Sequence, residues 1–400
     1  MVTDDFSQKL VESFLGNISV FLLNTLFPYV VTKLYGTDIL GRYTYAYSIV
    51  MMTIFFASLG LDMGLLYYIP RKGNKYITSS FVLNFLSSSL IIVVLFIFNR
   101  DNTVRLMLPL IWFLSAEQIF FAIYRAKQNI KEFFWINTLS SLVLKVILTW
   151  VFCNVFGVNS LNIIIATYIS TGLSLILYFI NQRKMFESFI ISKEVMAYSM
   201  PLIVGSMMTI IVNNIDMIMI GNILNKNAVA VYSVAAKIAT FPSILLIVVN
   251  TVFPPIVAKL YHDGELEKLR NMYKLSARTL TAISSVIILI IVIFRKSILG
   301  YFGTEFIGGE YVIIYRGIGQ LVNASVGSVW YIVSMTGRPK INMVGKILAA
   351  LINTLLNLLL IPILGITGAA LSSMIAIVFA NILGYSIVKR ILKVKVFRIV

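Results

Sequence analysis

Charged side chains within long apolar stretches are the residues of this sequence best placed to do chemistry. Four of them are basic: Lys145, Lys237, Arg316 and Lys346. A charge at the centre of a bilayer costs about 2.5–3.5 kcal/mol on insertion scales, so several together indicate a protein-lined and hydrated environment. A cavity ringed by these cations would attract phosphate or pyrophosphate and would repel organic cations.

Each of these cations also has a structural alternative. Arg316 and Lys346 lie about one turn from the ends of their apolar segments, where a long side chain can extend to the headgroup region. Lys145 and Lys237 lie deeper, and internal ion pairs would be the alternative for them.

Three acidic residues, Asp62, Glu117 and Asp216, also fall within apolar segments. A carrier driven by an ion gradient needs a titratable or ion-ligating group at depth, so each is a candidate site for ion coupling. Charge pairing is the alternative, with Asp216 facing Lys237 and Glu117 facing Lys145.

The elements that position these charges are expected to be membrane-spanning helices. Of 400 residues, 59% are hydrophobic and 12% are charged, well below the charged fraction of soluble domains. Runs free of acids and bases approach or reach the length that crosses the hydrocarbon core. Apolar length predicts twelve spans, with ends uncertain by about four residues. They cover residues 13–33, 42–68, 76–98, 104–125, 134–156, 161–181, 199–222, 228–257, 274–295, 312–335, 341–363 and 367–389.

Lysine and arginine concentrate in alternate loops, on the side that holds both termini. Because cytoplasmic loops collect basic residues, both termini are predicted to be cytoplasmic. The first apolar segment is long and has no small-residue cleavage site, so it is expected to remain as a span.

The chain is expected to consist of two similar halves. One ungapped shift aligns Gly16 with Gly205 and Asn24 with Asn213. Six spans per half would make the repeats parallel, as in one group of secondary transporters. We therefore predict an N-terminal lobe over residues 1–185 and a C-terminal lobe over 186–400, joined through an amphipathic segment near 181–196.

Several functional classes are disfavoured by what the sequence contains. Cys153 and His262 are the single cysteine and histidine, which argues against disulfides and zinc sites within one chain. The sequence has no phosphate-binding loop motif, so direct ATP use is not expected, and no cofactor is predicted. The net charge of +17 suits membrane topology better than nucleic acid, because no basic soluble domain is apparent. No acidic catalytic motif stands on a large external loop, so an enzyme is disfavoured.

Short motifs along nearly the whole chain resemble one family of membrane proteins. The resemblance is to the polysaccharide and O-antigen repeat-unit flippases of the multidrug/oligosaccharidyl-lipid/polysaccharide exporter superfamily. The motifs are LYG at 34–36, GRY at 41–43, GLDMG at 60–64, YYIPR at 67–71, YSMPL at 198–202, DMIMIG at 216–221 and TGRP at 336–339.

The resemblance implies an all-α polytopic membrane protein, with two six-helix lobes around a central cavity that opens alternately to either side. It implies a cargo of undecaprenyl-pyrophosphate-linked oligosaccharide for O-antigen, capsule or exopolysaccharide, moved across the bacterial cytoplasmic membrane with an ion gradient. Membrane lipids and the polysaccharide polymerase machinery are the further partners expected. Arg71, Lys72 and Arg125 would capture the headgroup at the cytoplasmic entrance, and the four apolar-segment cations would hold the pyrophosphate or acidic sugar during transit.

Alternatives remain open beside this interpretation. A drug/cation antiporter of the same superfamily should have an acidic rather than a basic cavity. A peptidoglycan-precursor flippase usually has fourteen spans, and a membrane glycosyltransferase or polymerase would need external catalytic residues. Five tyrosines could stack on sugars or, as is commoner, belong to an interfacial aromatic belt: Tyr43, Tyr45, Tyr47, Tyr67 and Tyr68.

Overall fold

All regular secondary structure in the described residues is helical. The computed structural model describes residues 2–127, 129–186, 208, 211–212 and 214–394, without the side chains of 2–13, 71, 251, 252 and 255. The first helices are α1 (Val2–Tyr35), α2 (Thr37–Ser58), α3 (Leu61–Lys72), α4 (Ile77–Phe98), α5 (Asn102–Met107), α6 (Leu110–Ala126), α7 (Ile130–Ile136), a π-helix (Asn137–Val143), α8 (Leu144–Phe156) and α9 (Ser160–Gln182). The others are α10 (214–223), α11 (Lys226–Ala239), α12 (Ser243–His262), α13 (Leu266–Ile293), α14 (Arg295–Phe302), α15 (Glu310–Val326), α16 (Val329–Met335), α17 (Pro339–Leu364) and α18 (Ile366–Leu392).

Nine helical segments in the described part of the chain are long and apolar enough to cross a membrane. A tenth is formed if α11 and the first part of α12, which bend by 61° at residues 240–242, make one broken span. The predicted span at 312–335 is divided at Gly327 into α15 and α16, and half of the predicted span at 199–222 lies outside the described residues. The prediction of an all-helical polytopic membrane protein is confirmed.

The chain forms two compact units. The N-terminal unit covers Leu22–Ile218, and the C-terminal unit covers Met219–Val400 together with Met1–Phe21. The lobe boundary expected after residue 185 adjoins residues 187–207, which lie outside the described part, so it stays a prediction.

In the N-terminal unit α6 is the central helix, packing against α2, α3, α4, α7 and α9. Its buried face carries Ile119, Phe120 and Ile123, which join a core of aromatic and aliphatic residues from α3, α4 and α9. Association of helices in lipid depends on close packing and on hydrogen bonds between them. The opposite stripe of α6 carries Glu117, Phe121 and Arg125 at four-residue spacing, so these side chains share one face.

The predicted span at 42–68 is interrupted in the structure. Leu59 and Gly60 both have left-handed backbone angles, with φ of 50° and 67°, so α2 ends at Ser58 and α3 begins at Leu61. A break inside a membrane leaves a carbonyl that needs a donor. The Ala57 carbonyl receives hydrogen bonds from Asn84 Nδ2 at 3.0 Å and from Ser87 Oγ at 2.5 Å.

In the C-terminal unit α17 and α18 form a closely packed hairpin, and α15 packs against α18, α13 and α11. The break at Gly327, where φ is 63°, is stabilised in a similar way. Tyr273 donates its hydroxyl to the Val326 carbonyl at 2.9 Å, and Ser328 donates to Asn250 Oδ1 at 2.6 Å. Both units therefore contain a broken helix whose exposed carbonyl is satisfied from a neighbouring helix.

Candidate functional site

Lys145 lies in α8, near the middle of the segment Ile130–Phe156. It is buried, with 9% of its surface exposed, and its ammonium lies 4.5 Å from the centroid of the Phe27 ring. No hydrogen-bond acceptor meets this ammonium among the residues the structure describes. A cation over an aromatic face is stabilised by about 2 kcal/mol when desolvated, less than a full set of hydrogen bonds would give. The ammonium therefore retains the capacity to bind an anion.

Glu117 lies on the half-buried stripe of α6 and close enough to Lys145 for the two charges to interact. Its hydrogen bond comes from Asn137 rather than from the lysine, since Asn137 Nδ2 donates to Glu117 Oε1. A carboxylate can accept about four hydrogen bonds, and the described residues supply this one. Glu117 therefore keeps acceptor capacity for a ligand.

The π-helix aligns Asn137 with Lys145. Eight residues of α-helix rotate by about 800°, which would place the two side chains about 80° apart. A π-turn accommodates one extra residue, which removes roughly 100° of rotation and brings the pair close to one face. Ser140 supports the irregular segment, because its hydroxyl lies 2.9 Å from Ser174 Oγ and 2.5 Å from the Ile136 carbonyl. Sequence reasoning missed Asn137 and this segment, because neither charge nor apolar length signals a π-turn.

A line of aromatic rings continues from Lys145 within the same unit. The rings of Phe27 and Tyr43 are 5.3 Å apart, and those of Tyr43 and Tyr47 stack at 5.8 Å with 14° between their planes. The Tyr43 hydroxyl is 3.2 Å from Thr167 Oγ1, which fixes that ring. Tyr47 is only half-buried and lies within electrostatic range of Glu117. We call Phe27, Tyr43, Tyr47, Glu117, Asn137 and Lys145 the N-unit site.

The end of this unit near residues 72–76 and 125–127 is basic and aromatic. Lys72 lies over the rings of Tyr68 and Tyr76, at 5.4 and 5.8 Å. Exposed Arg125 lies 5.4 Å from the centroid of Phe121. The third predicted entrance residue, Arg71, has its side chain outside the described part of the chain.

Asp62 and Asp216, two of the three acidic candidates, lie on helices of the N-terminal unit. Asp62 stands in the first turn of α3, where the helix dipole favours a negative charge, and it interacts electrostatically with Arg125. Asp216 is 1% exposed in α10. The predicted pairing of Asp216 with Lys237 stays a prediction, because these residues belong to different compact units.

The remaining predicted cations belong to the C-terminal unit. Lys237 is half-buried in the last turn of α11, and Lys346 is half-buried on α17. Arg316 is 7% exposed on α15, which favours an interior position over extension to the headgroup region. Among the described residues, no group of three or more histidine, cysteine, aspartate or glutamate side chains has the arrangement of a metal site.

These features describe a membrane transport protein: helices with internal breaks and charged side chains within the spans. The comparisons with known proteins agree. Residues 8–261 match the family described as polysaccharide biosynthesis protein, and residues 201–359 match the family described as MatE. The first match covers more than half of the chain, so the chain belongs to the polysaccharide biosynthesis protein family.

One curated relative is the capsular polysaccharide biosynthesis protein CapF of Staphylococcus aureus. It is 25% identical over 397 residues, covering 94% of this chain and 98% of the relative. The predicted family resemblance is confirmed by these matches.

Solved structures share the fold at low sequence identity. An inward-facing multidrug resistance MATE family transporter of the MOP superfamily has a TM-score of 0.75 at 14% identity, covering 95% of this chain and 98% of that chain. The lipid II flippase MurJ, in an inward closed conformation, has a TM-score of 0.75 at 15% identity, covering 96% and 87%. The chain therefore has a MATE-like fold. The prediction that it is not an enzyme is confirmed, since the families and neighbours that it matches are those of transporters and flippases.

Proposed function

We propose that this chain is a flippase that moves lipid-linked oligosaccharide across the bacterial cytoplasmic membrane for surface polysaccharide synthesis. Membership of the polysaccharide biosynthesis protein family supports the class of cargo. The observation that carries the mechanism is the environment of Lys145. Its ammonium is buried and has no hydrogen-bond acceptor among the described residues, which suits binding of a pyrophosphate or another anion.

The proposed transport cycle uses alternating access. Arg71, Lys72 and Arg125 attract the anionic headgroup at the cytoplasmic side, and both termini lie on that side. Lys145 of the N-terminal unit is a proposed contact of the pyrophosphate or acidic sugar during transit, and the proposed contacts in the C-terminal unit are Lys237, Arg316 and Lys346. The polyprenyl tail stays in the bilayer, because burying its apolar surface in lipid avoids exposure to water.

An ion gradient is the proposed source of energy. Asp216 is the strongest candidate for ion coupling, because it is an almost completely buried carboxylate. Asp62, in the first turn of α3, and Glu117, which accepts a hydrogen bond from Asn137, are the other two candidates. Transport by Asp216→Asn should lose its dependence on a proton or sodium gradient, measured by imposing each gradient separately across proteoliposomes.

The experiment that tests the function is reconstitution of the full chain in liposomes. Transbilayer movement of an undecaprenyl-pyrophosphate oligosaccharide is measured for wild type, Lys145→Met and Lys33→Met. Lys33 is a matched control, because it is an exposed lysine at the end of α1. Wild type and Lys33→Met should transport the lipid. Transport by Lys145→Met should be slower by tenfold or more, because a tenfold change corresponds to a loss of about 1.4 kcal/mol of binding free energy.

Three other outcomes would count against the proposal. Equal rates for Lys145→Met and wild type would remove Lys145 from the cargo path. No movement by wild type, with proton-driven efflux of an organic cation, would favour the drug/cation antiporter. Formation of a longer glycan instead of transfer across the bilayer would favour a polymerase.

A further inference from the structure

The N-unit site combines groups of opposite character within a short distance. Lys145 supplies a positive charge, Glu117 a negative charge with open acceptor capacity, and Tyr47 a half-buried ring. A site for a bare phosphate would have no use for a carboxylate beside its cation, because that carboxylate repels the ligand. A cargo that also carries uncharged hydroxyl groups would supply hydrogen-bond donors to this carboxylate.

We propose that Glu117, Asn137 and Tyr47 form a subsite for an uncharged sugar ring, next to the anionic group that Lys145 attracts. This subsite rests on the proposed flippase function and specifies its cargo. Sugar hydroxyls donate to the Glu117 carboxylate, which makes the stronger, charge-assisted type of hydrogen bond. The Tyr47 ring contacts the apolar face of the sugar.

The geometry of the helices sets the order of the two subsites. Asn137 and Lys145 are eight residues apart, about 12 Å along the helix axis, and the π-helix places them near one face. The Lys145 ammonium lies over the Phe27 ring at one end of this face, and Asn137 binds Glu117 at the other. A ligand that binds both groups extends along this face, with its anionic group near Lys145 and its sugar near Glu117.

The carboxylate also gives the site a means of selection. A sugar that carries its own carboxylate would bring two like charges together in a partly desolvated place, which is unfavourable. Asn137 holds Glu117 in position by donating to it, so the carboxylate cannot easily turn away. The subsite therefore accepts a neutral sugar and discriminates against a uronic acid at the same position.

The test uses the full chain in lipid nanodiscs and three probes of graded chemistry. They are a polyprenyl pyrophosphate without sugar, the same lipid bearing glucose, and the same lipid bearing glucuronic acid. Glucose and glucuronic acid differ at one carbon, so the last two probes isolate the effect of the added charge. Binding is measured by native mass spectrometry for wild type, Glu117→Gln, Tyr47→Leu, Lys145→Met and Asp38→Asn. Asp38 is the control, because it is an exposed carboxylate paired with Arg42.

Wild type and Asp38→Asn should bind the glucose probe about tenfold more tightly than the glucuronic acid probe. Glu117→Gln should bring this ratio close to one, because the glucose probe loses a charge-assisted hydrogen bond and the glucuronic acid probe loses a like-charge repulsion. Tyr47→Leu should weaken binding of the glucose probe about tenfold and leave binding of the sugar-free probe unchanged. A misfolded variant would lose binding of both. The fold-changes correspond to loss of one charge-assisted or one aromatic contact.

Two results would overturn the subsite. One is an unchanged ratio in Glu117→Gln, and the other is equal weakening of the sugar-free and glucose probes by Tyr47→Leu. Failure of the proposed function would look different, because wild type would then bind none of the three lipids. Lys145→Met should weaken binding of all three probes by a similar factor and preserve the ratio between them. If it affects none of them, the role of the cation is refuted, and the ratio between the glucose and glucuronic acid probes still tests the subsite.

Discussion

A close contact between a glycine and a tryptophan in the C-terminal unit predicts a large effect from one added methyl group. The indole of Trp330 on α16 packs against Gly345 of α17 and Gly384 of α18. A Cβ at position 345 would lie 2.2 Å from Trp330 Cη2 and 2.8 Å from Cζ3. Carbon atoms are ordinarily in contact at about 3.5–4.0 Å, so the indole must move by roughly 1 Å.

The surroundings leave the indole little room for that movement. A Cβ at Gly384 would lie 3.1 Å from Trp330 Cε2 and 3.3 Å from Cζ2, so α18 is also in close contact with the indole. Overpacking of this kind costs about 1–3 kcal/mol. Replacing glycine by alanine within a helix otherwise gains about 0.5–1 kcal/mol. Gly345→Ala should therefore destabilise the protein by about 1–2 kcal/mol.

Thermal unfolding in detergent micelles measures this effect. Gly300→Ala is the matched control, because it adds the same methyl group to helix α14 with no atom within 4 Å. The control should be neutral or slightly stabilising, whereas Gly345→Ala should lower the unfolding midpoint. Shortening Trp330 to leucine should remove the penalty, so the double-mutant cycle should give a coupling of about 1 kcal/mol or more. Additive effects, or equal midpoints for the two alanine variants, would refute the reasoning.

Three further predictions concern hydrogen bonds and surface charge. Asn84→Ala should destabilise the N-terminal unit by about 1–2 kcal/mol in the same unfolding assay, because a buried donor to the Ala57 carbonyl is lost and a small cavity forms. An unfolding midpoint equal to that of wild type would contradict this role. Tyr273→Phe should cost about 0.6–1.7 kcal/mol through loss of the bond to the Val326 carbonyl, and no change would mean that the break at Gly327 does not need it. Asp38→Asn should change stability by less than about 1 kcal/mol, with the small difference disappearing at high salt, since its ion pair is exposed.

The charged part of the site could be predicted because apolar surroundings make a charge conspicuous. Lys145 and Glu117 each interrupt an apolar segment, and the structure brings them into electrostatic range within one unit. Asn137 gave no such signal, since a single uncharged amide has little effect on apolar length. Its position beside Glu117 depends on the π-turn. A π-turn changes which side chains share a face of the helix, and the apolar run in the sequence does not reveal it.

The broken helices were also beyond a reading of apolar length. Residues 42–68 and 312–335 each read as one continuous span, because Gly60 and Gly327 interrupt the backbone without adding a charge. What makes each break possible lies elsewhere in the sequence. Asn84 follows the first break by more than twenty residues, and Tyr273 precedes the second by more than fifty. A pattern within one helix carries no information about a donor on another.

The polar groups inside the N-terminal unit divide into two kinds, and the division indicates where transport and stability can be separated. Asn84 exchanges hydrogen bonds with Ser115 and donates to the Ala57 carbonyl, so its polar atoms contribute to holding a broken helix in place. Lys145 and Glu117 have fewer protein partners in the described structure, although each costs more to bury than an amide. A desolvation cost that protein contacts do not offset has to be offset by a ligand or by water when the protein functions. Neutral replacements at Lys145 or Glu117 should therefore raise stability, or leave it unchanged, while they impair binding, whereas replacement of Asn84 should impair both.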